Sequence, residues 1–120
     1  MKAHIAVNGA CGRMGQRVIA LAAEDPKHFH LVAAVDSPGN PKLGSDAGTL
    51  AGIASLGIPV NDQMPMTGRL DCVIDFSSPE GTMQILKACI DRQIPLVIAT
   101  TGHDAYQRSE IEAAAHQTAI

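Results

Sequence analysis

Apolar residues along the chain form short continuous runs that alternate with stretches of helical spacing. A brief apolar run, Gly57–Val60, predicts an edge strand, and the closing His116–Ile120 resembles the opening of a further strand. Because the longer runs are apolar over most of their length, they indicate a parallel sheet covered on both faces. The predicted strands of this kind are His4–Asn8, His30–Asp36, Cys72–Phe76 and Ile94–Gly102, the last breaking into a loop.

Helices are predicted between these strands. The first begins at Arg13 and ends before Pro26, and its expected apolar face consists of Met14, Val18, Leu21 and Ala22. The second begins with Ser78 as N-cap and Pro79 in the first turn, and its apolar repeat is Met83, Leu86 and Ile90.

Two further helices complete the pattern. A short one, capped by Ser45 or Asp46, runs toward Leu50, and the last covers Tyr106–His116. Strands alternating with helices predict the α/β class: a Rossmann-type, doubly wound parallel sheet in three layers, forming a single domain over residues 1–120. Ligands of such sheets bind at the carboxyl ends of the strands, so the residues after each strand are the candidates for chemistry.

Three glycines follow the first strand at three-residue intervals. Gly9, Gly12 and Gly15 form a variant of the dinucleotide fingerprint, between a predicted strand and a predicted helix. We expect Gly9 to turn the chain, Gly12 to admit a pyrophosphate and Gly15 to let the helix pack closely. The helix N-terminus would then face the phosphates. The alternative is that the glycines serve only a tight turn.

Asp36 ends the second strand, at the position where such folds place an acid that accepts hydrogen bonds from the adenine ribose. Its alternative role is to cap the turn at Pro38–Gly39. Ser37 follows where an Arg could meet a 2′-phosphate, although Lys42 is close in sequence. We therefore expect NADH to bind at least as well as NADPH.

Polar loops also follow the later strands. "DFSSPEG", residues 75–81, and "ATTG", residues 99–102, lie at adjacent strand ends, where they would flank the nicotinamide of a bound dinucleotide. Backbone groups and the hydroxyls of Thr100 and Thr101 are the expected hydrogen-bonding partners. Taken singly, each segment is also explained as a capped turn.

Charge and composition argue against several other classes of protein. The net charge of −3 and the lack of a basic stripe argue against a nucleic-acid partner. Three cysteines without paired spacing, Cys11, Cys72 and Cys89, argue against a disulfide framework and a zinc site. No apolar run has the length of a membrane span or a signal peptide, so the expected location is the cytoplasm.

Five segments taken together resemble the N-terminal nucleotide-binding domain of the dihydrodipicolinate reductase family, over essentially the whole chain. They are "GACGRMGQ", "AVDS", "LGSDAGTLAG", "VIDFSSPEGT" and "IATTGHD". The resemblance implies hydride transfer from NADH or NADPH to a cyclic dicarboxylate, in the diaminopimelate route to lysine. The chain departs from the family pattern at Ser37, where members that use both cofactors carry Arg, and at Ala99, where many members carry Gly.

The resemblance also implies roles for individual residues. The pyrophosphate would be held by Gly9, Arg13, Met14 and Gly15, and the adenosine ribose by Asp36. The nicotinamide side would be surrounded by Phe76, Ser77, Ala99, Thr100 and Thr101. The expected cofactor-binding set is completed by Cys11, Gly12, Ser37 and Gly102.

Family members are more than twice as long as this chain. Their second, α+β domain supplies a His-His motif, a lysine, the contacts to the substrate anion and the tetramer interface. The resemblance therefore implies a homotetrameric parent enzyme and a 120-residue piece, monomeric or weakly dimeric, that carries no catalytic residue and is inactive alone. A free-standing dinucleotide-binding or sensing module is the alternative. A homoserine or aspartate-semialdehyde dehydrogenase fragment would share the glycine loop but not "GRMG", "GSDAG" and "DFSSPEG" together.

Overall fold

The computed structural model describes residues 2–120 as a parallel sheet flanked by helices. The strands are β1 (Ala3–Asn8), β2 (Phe29–Val35), β3 (Val60–Asn61), β4 (Cys72–Asp75) and β5 (Leu96–Ile98). The helices are α1 (Arg13–Ala23), α2 (Ala47–Leu50), α3 (Pro79–Arg92) and α4 (Ala105–Ala114). The strand order is β3-β2-β1-β4-β5, and every pairing between strands is parallel. The predicted Rossmann-type fold is confirmed.

Two apolar clusters, one on each face of the sheet, form the core. On β1, Ile5 and Val7 point to the cluster that contains α1 and α2, whereas Ala6 points to the other. The second cluster packs α3 and α4 against β4 and β5, with Leu86, Cys89 and Ala114 buried. Because both faces are covered, the central strands are apolar on both sides, which explains the continuous apolar runs in the sequence.

The face that α1 turns to the sheet agrees only in part with the predicted one. Ala22 is buried and Val18 packs against the core, as predicted. Met14 and Leu21 are about half exposed, whereas Gly15, Ile19 and Ala20 are buried in their place. The buried positions also follow helical spacing, but they are rotated relative to the predicted face. Gly15 must lie against the Gly9 turn, and this contact fixes the rotation of the helix about its axis.

The predicted edge strand over Gly57–Val60 is wrong in its bounds, since β3 contains only Val60 and Asn61. Gly57 has a positive φ of 70°, and Pro59 has no N–H to donate to a neighbouring strand. The Ile58 N–H donates instead to the Asp46 carboxylate, at 3.1 Å. Ladder pairing with β2 can therefore begin only at Val60.

The segment expected to open another strand lies against β5 without forming one. The Leu96 N–H donates to the Ala119 carbonyl at 2.8 Å, and the Thr118 hydroxyl donates to the Ile94 carbonyl at 3.0 Å. Across residues 2–120, no helix combines the length and the apolar character that crossing a bilayer requires.

Candidate functional site

A cleft of about 760 Å³ opens at the carboxyl ends of β1, β2 and β4. From β1 the sheet grows in two directions, with β2 and β3 on one side and β4 and β5 on the other. This reversal leaves a crevice beyond the strand ends, and ligands of doubly wound sheets bind there. One side of α3 forms a wall of the cleft through Glu80, Gln84 and Ala88, which repeat every four residues.

The three glycines of the β1–α1 loop have different surroundings. Gly9 has a positive φ of 86°, and a side-chain carbon there would lie 2.1 Å from the Phe76 carbonyl oxygen. At Gly15 such a carbon would lie 2.0 Å from the Gly9 carbonyl oxygen. At Gly12 the φ is −79°, and the nearest atom would be 3.3 Å away. Packing of the chain therefore requires glycine at 9 and 15, whereas Gly12 lines the open cleft.

The N-terminus of α1 faces this cleft without a side-chain cap. The N-cap is Gly12, which has no side chain to accept a hydrogen bond. No other described side chain accepts one from the backbone N–H groups of the first turn, and that turn contains no acidic residue. The first N–H groups of a helix have no partner within the helix, and with the helix dipole they attract anions. This end of α1 therefore has the properties of a phosphate site.

Asp36 connects the end of β2 to the glycine loop. Its carboxylate accepts hydrogen bonds from the Cys11 N–H at 2.8 Å and from the Ser37 N–H at 2.7 Å. Burial raises the pKa of the Cys11 thiol to about 11, and the nearby Asp36 carboxylate adds to the rise. Cys11 therefore stays a neutral thiol at the edge of the cleft.

Asp75, at the end of β4, lies beneath the cleft and is fully buried. One carboxylate oxygen accepts from the Asn8 side-chain amide at 3.1 Å and from the Ser77 hydroxyl at 2.5 Å. The other accepts from the Thr82 hydroxyl at 2.5 Å and from the Thr100 hydroxyl at 3.0 Å. The carboxylate therefore joins β1, the β4–α3 loop, α3 and the segment after β5.

Thr100 also supports the β4–α3 loop. Its hydroxyl oxygen accepts from the Ser77 N–H at 2.8 Å, and the Ala99 N–H donates to the Asp75 carbonyl at 2.9 Å. These bonds hold the two polar strand ends against each other. The Thr100 hydroxyl therefore forms its hydrogen bonds within the protein, and Thr100 does not line the open cleft.

Comparison with known proteins shows the family. A family model described as dihydrodipicolinate reductase, N-terminus, matches residues 3–120. The chain belongs to this family. The 4-hydroxy-tetrahydrodipicolinate reductase of Bordetella parapertussis is 45% identical over 116 residues, which are 97% of this chain and 42% of that protein. The Halorhodospira halophila protein of the same name is 41% identical over 121 residues, covering 100% of this chain and 45% of the relative.

The chain therefore spans less than half the length of these dihydrodipicolinate reductase relatives. Two solved structures share its fold. Dipicolinate-bound dihydrodipicolinate reductase from Paenisporosarcina sp. TG-14 aligns with a TM-score of 0.71 and 24% identity, over 96% of this chain and 43% of that one. Aspartate semialdehyde dehydrogenase with NADP from Candida albicans aligns with a TM-score of 0.65 and 20% identity, over 84% and 30%. The resemblance found in the sequence is confirmed.

The structure brings part of the predicted cofactor-binding set to the cleft. The lining includes Gly9, Cys11, Gly12, Asp36, Ser37, Phe76 and Ser77. Gly15 is buried under the loop, and Arg13 and Met14 are exposed on the first turn of α1. The residues after β5 lie outside the lining: Ala99 and Thr100 are half-buried, and Thr101 and Gly102 are exposed.

Several cleft residues of this reductase-family domain were not predicted. Besides Gln84 and Ala88 of the α3 wall, they include Asn8, Asp62, Gln63 and Met64. The last three follow β3, and the rule that candidates follow each strand would have found them had it been applied to this edge strand, whose predicted end lies one residue from the observed one. The Arg92 guanidinium holds the next part of this loop by donating to the carbonyls of Pro65 and Gly68, at 2.6 and 3.0 Å. Only the fold brings Arg92 to that loop.

Proposed function

We propose that the cleft binds a nicotinamide dinucleotide, and that the chain is the cofactor-binding part of a 4-hydroxy-tetrahydrodipicolinate reductase. Membership of the dihydrodipicolinate reductase family implies this class of cofactor. The observation that carries the proposal is that the uncapped N-terminus of α1 and the Asp36 carboxylate open onto one cleft. A phosphate group and a ribose need those two partners at neighbouring positions.

The pyrophosphate lies at the glycine loop and the first turn of α1 in this proposal, between Gly9 and Gly15. The adenosine ribose lies at Asp36 and Ser37. Each oxygen of Asp36 accepts one backbone N–H, and Oδ1 also lies 3.5 Å from the Ser37 hydroxyl, so Oδ2 is the oxygen that keeps a lone pair for a ribose hydroxyl. The nicotinamide lies toward the β4–α3 loop and the segment after β5, where the proposed neighbours are Phe76, Ser77, Ala99, Thr100, Thr101 and Gly102.

NADH binds at least as well as NADPH in this proposal. The cleft is lined by three carboxylates, Asp36, Asp62 and Glu80, and none of the described residues that line it is Lys or Arg. A 2′-phosphate would therefore meet negative charge and no planar cationic partner. Lys42 is exposed and lies outside the lining.

When bound, the dinucleotide supplies the hydride, and this chain's residues bind and orient it. The acceptor is a cyclic dicarboxylate, held by a second domain that lies in the part of the relatives not matched here. The whole enzyme is a homotetramer in this proposal, and the 120-residue chain is a monomer or weak dimer.

Calorimetric titration of the chain with NADH and NADPH tests the proposal. Asp36→Ala should weaken NADH binding by about 1–3 kcal/mol, because ribose hydroxyls lose their acceptor. The matched control is Asp91→Ala, which removes an exposed carboxylate of α3 outside the cleft lining. A wild-type chain that binds neither dinucleotide would contradict the proposal. A clear preference for NADPH that disappears in Lys42→Ala would contradict the cofactor preference alone.

A further inference from the structure

We propose that Asp75 is a positioning residue for the nicotinamide end of the cleft, acting through Ser77 and Thr100. Asp75 itself does not line the cleft, whereas Ser77 does. The inference rests on the proposed function, since it concerns the loops assigned there to the nicotinamide. It adds a residue that holds those loops in their binding geometry.

The first argument is the completeness of the hydrogen-bond network around a buried carboxylate. Four neutral donors, from Asn8, Ser77, Thr82 and Thr100, point at its two oxygens. None of the ion pairs formed among residues 2–120 includes Asp75. A buried polar network is costly unless every member is satisfied, and when satisfied it fixes one arrangement of its members.

The second argument is the direction of the hydrogen bonds through Thr100. A hydroxyl has one proton, and two acceptors on Asp75 lie within its reach: the carboxylate at an oxygen–oxygen distance of 3.0 Å and the main-chain carbonyl at 3.3 Å. The shorter of these hydrogen bonds is the one to the carboxylate. The Thr100 oxygen is then oriented to accept the Ser77 N–H, at 2.8 Å. Asp75 thus sets the hydroxyl orientation that holds the backbone of the β4–α3 loop.

The third argument is that Ser77 is held twice by the same carboxylate. Its hydroxyl donates directly to Asp75, and its N–H donates to Thr100, whose proton goes to Asp75. Phe76, directly before Ser77, donates its N–H to the Asn8 carbonyl at 3.0 Å, and the Asn8 side chain also donates to Asp75. The cleft-lining pair Phe76–Ser77 is therefore positioned from beneath.

The experiment compares NADH with ADP-ribose, which has the adenosine, the pyrophosphate and both riboses but lacks nicotinamide. The variants are Asp75→Asn, Thr100→Val, which removes the hydroxyl at nearly constant shape, and Thr100→Ser, which keeps it. Folding of each is checked by circular dichroism and urea unfolding. If Asp75→Asn does not fold, the Thr100 pair still decides the question.

In Thr100→Val and in folded Asp75→Asn, NADH affinity should fall about three- to tenfold, as for one lost hydrogen bond. ADP-ribose affinity should stay within about twofold, and Thr100→Ser should restore NADH binding. The matched control, Asp36→Asn, should weaken both ligands alike, since both contain the adenosine ribose.

Equal losses for both ligands, or no loss for either, would show that the network only stabilises the fold. A wild-type chain that binds NADH no better than ADP-ribose would also overturn the inference, while leaving dinucleotide binding intact. A wild-type chain that binds neither ligand would overturn the proposed function itself.

Discussion

At the scale of single residues, the β1–α1 loop shows how the same residue type can serve different needs. A side-chain carbon at Gly9 or Gly15 would overlap backbone atoms, at 2.1 and 2.0 Å. Neither contact can be relieved by rotating a side chain. Gly12 has ordinary extended angles, and a side-chain carbon there would lie 3.3 Å from the Gly9 carbonyl oxygen, a tight contact but not an overlap. A bound ligand is therefore a stronger reason than packing to keep that position small.

Substitutions in this loop should therefore separate folding from binding. We expect Gly12→Val to abolish NADH binding while costing about 1 kcal/mol of unfolding free energy, the scale of an N-cap change. The matched Gly15→Ala should lower the free energy of unfolding by roughly 3 kcal/mol or more, because the added methyl group is forced against the backbone of Gly9. Urea unfolding followed by NADH titration measures both effects. Normal NADH binding by Gly12→Val would mean that the loop is only a turn.

Cys11 provides a second test at this scale, through its chemical reactivity. Burial, and to a lesser degree the Asp36 carboxylate, raises the thiol pKa from 9.0 to about 11. At pH 8 the thiolate fraction, and with it the alkylation rate, should be about a hundredfold below that of the urea-unfolded chain.

Iodoacetamide labelling followed by mass spectrometry checks this prediction. Asp36→Asn should speed the labelling of Cys11 only in part, since burial is the larger cause of the raised pKa. Cys89, whose pKa burial raises to about 12, is the internal control for slow labelling. Labelling of folded Cys11 as fast as in urea would show an accessible, ionised thiol instead.

At the scale of elements, the segment between α2 and β3 depends on one acid. Asp46 caps α2 by accepting the Thr49 N–H at 2.9 Å, and it also accepts the N–H groups of Leu56 and Ile58, both at 3.1 Å. One carboxylate therefore shapes the connection that carries the chain to β3. This explains how a helix of only four residues persists at this position.

The same contacts predict a pH dependence of stability. The Thr49 N–H, and then the N–H groups of Leu56 and Ile58, hold the pKa of Asp46 well below its usual value. A depressed carboxyl pKa stabilises the fold fully above the unfolded pKa, about 4, and that stabilisation declines as the pH falls from there through the lower folded-state pKa. The stability difference between wild type and Asp46→Asn should therefore be full at pH 7 and reduced, but not lost, at pH 3.

Urea unfolding at the two pH values measures this difference. The control is Asp62→Asn, an exposed carboxylate whose side chain accepts no hydrogen bond from the described residues. A gap between wild type and Asp46→Asn that stays constant from pH 7 to pH 3 would mean that the carboxylate charge adds nothing at this position.

At the scale of the whole molecule, the cleft is an open surface at one end of the sheet. Hydride transfer requires the acceptor carbon to be held against the nicotinamide, and such orientation is worth roughly 7–11 kcal/mol of barrier. The cationic side chains that could grip a dicarboxylate are spread along the chain: Arg69 lies in the loop before β4, Lys87 and Arg92 lie on α3, and Arg108 lies on α4. Arg92 is moreover engaged with the loop after β3.

The chain should therefore bind NADH without oxidising it when the cyclic dicarboxylate precursor is supplied. Joining it to the second half of a homologous reductase should restore the loss of absorbance at 340 nm that accompanies NADH oxidation. The Gly12→Val form of the same fusion is the control, since it should fold but lack the cofactor. Turnover at enzymatic rates by the 120-residue chain alone would place the chemistry within this domain.

The sequence by itself determined the order of the strands and helices, the strand-to-helix glycine loop and the position of Asp36 after β2. These features depend on residues near one another in the chain, through apolar periodicity, caps such as Ser78 and turn glycines. The orientation of α1 and the bounds of β3 were not predicted because they depend on contacts with other parts of the chain. Gly15 packs against Gly9, and the Ile58 N–H donates to Asp46.

Only the tertiary structure decided what lies beneath the cleft. Asn8 and Asp75 are 67 positions apart, and Thr100 is 25 positions beyond Asp75, yet all three share one buried network. Each of these residues, taken alone, is an ordinary polar residue at the end of a strand or just beyond it. Their interaction arises because parallel strands bring their carboxyl ends to the same edge of the sheet, and no local pattern records which side chains meet there.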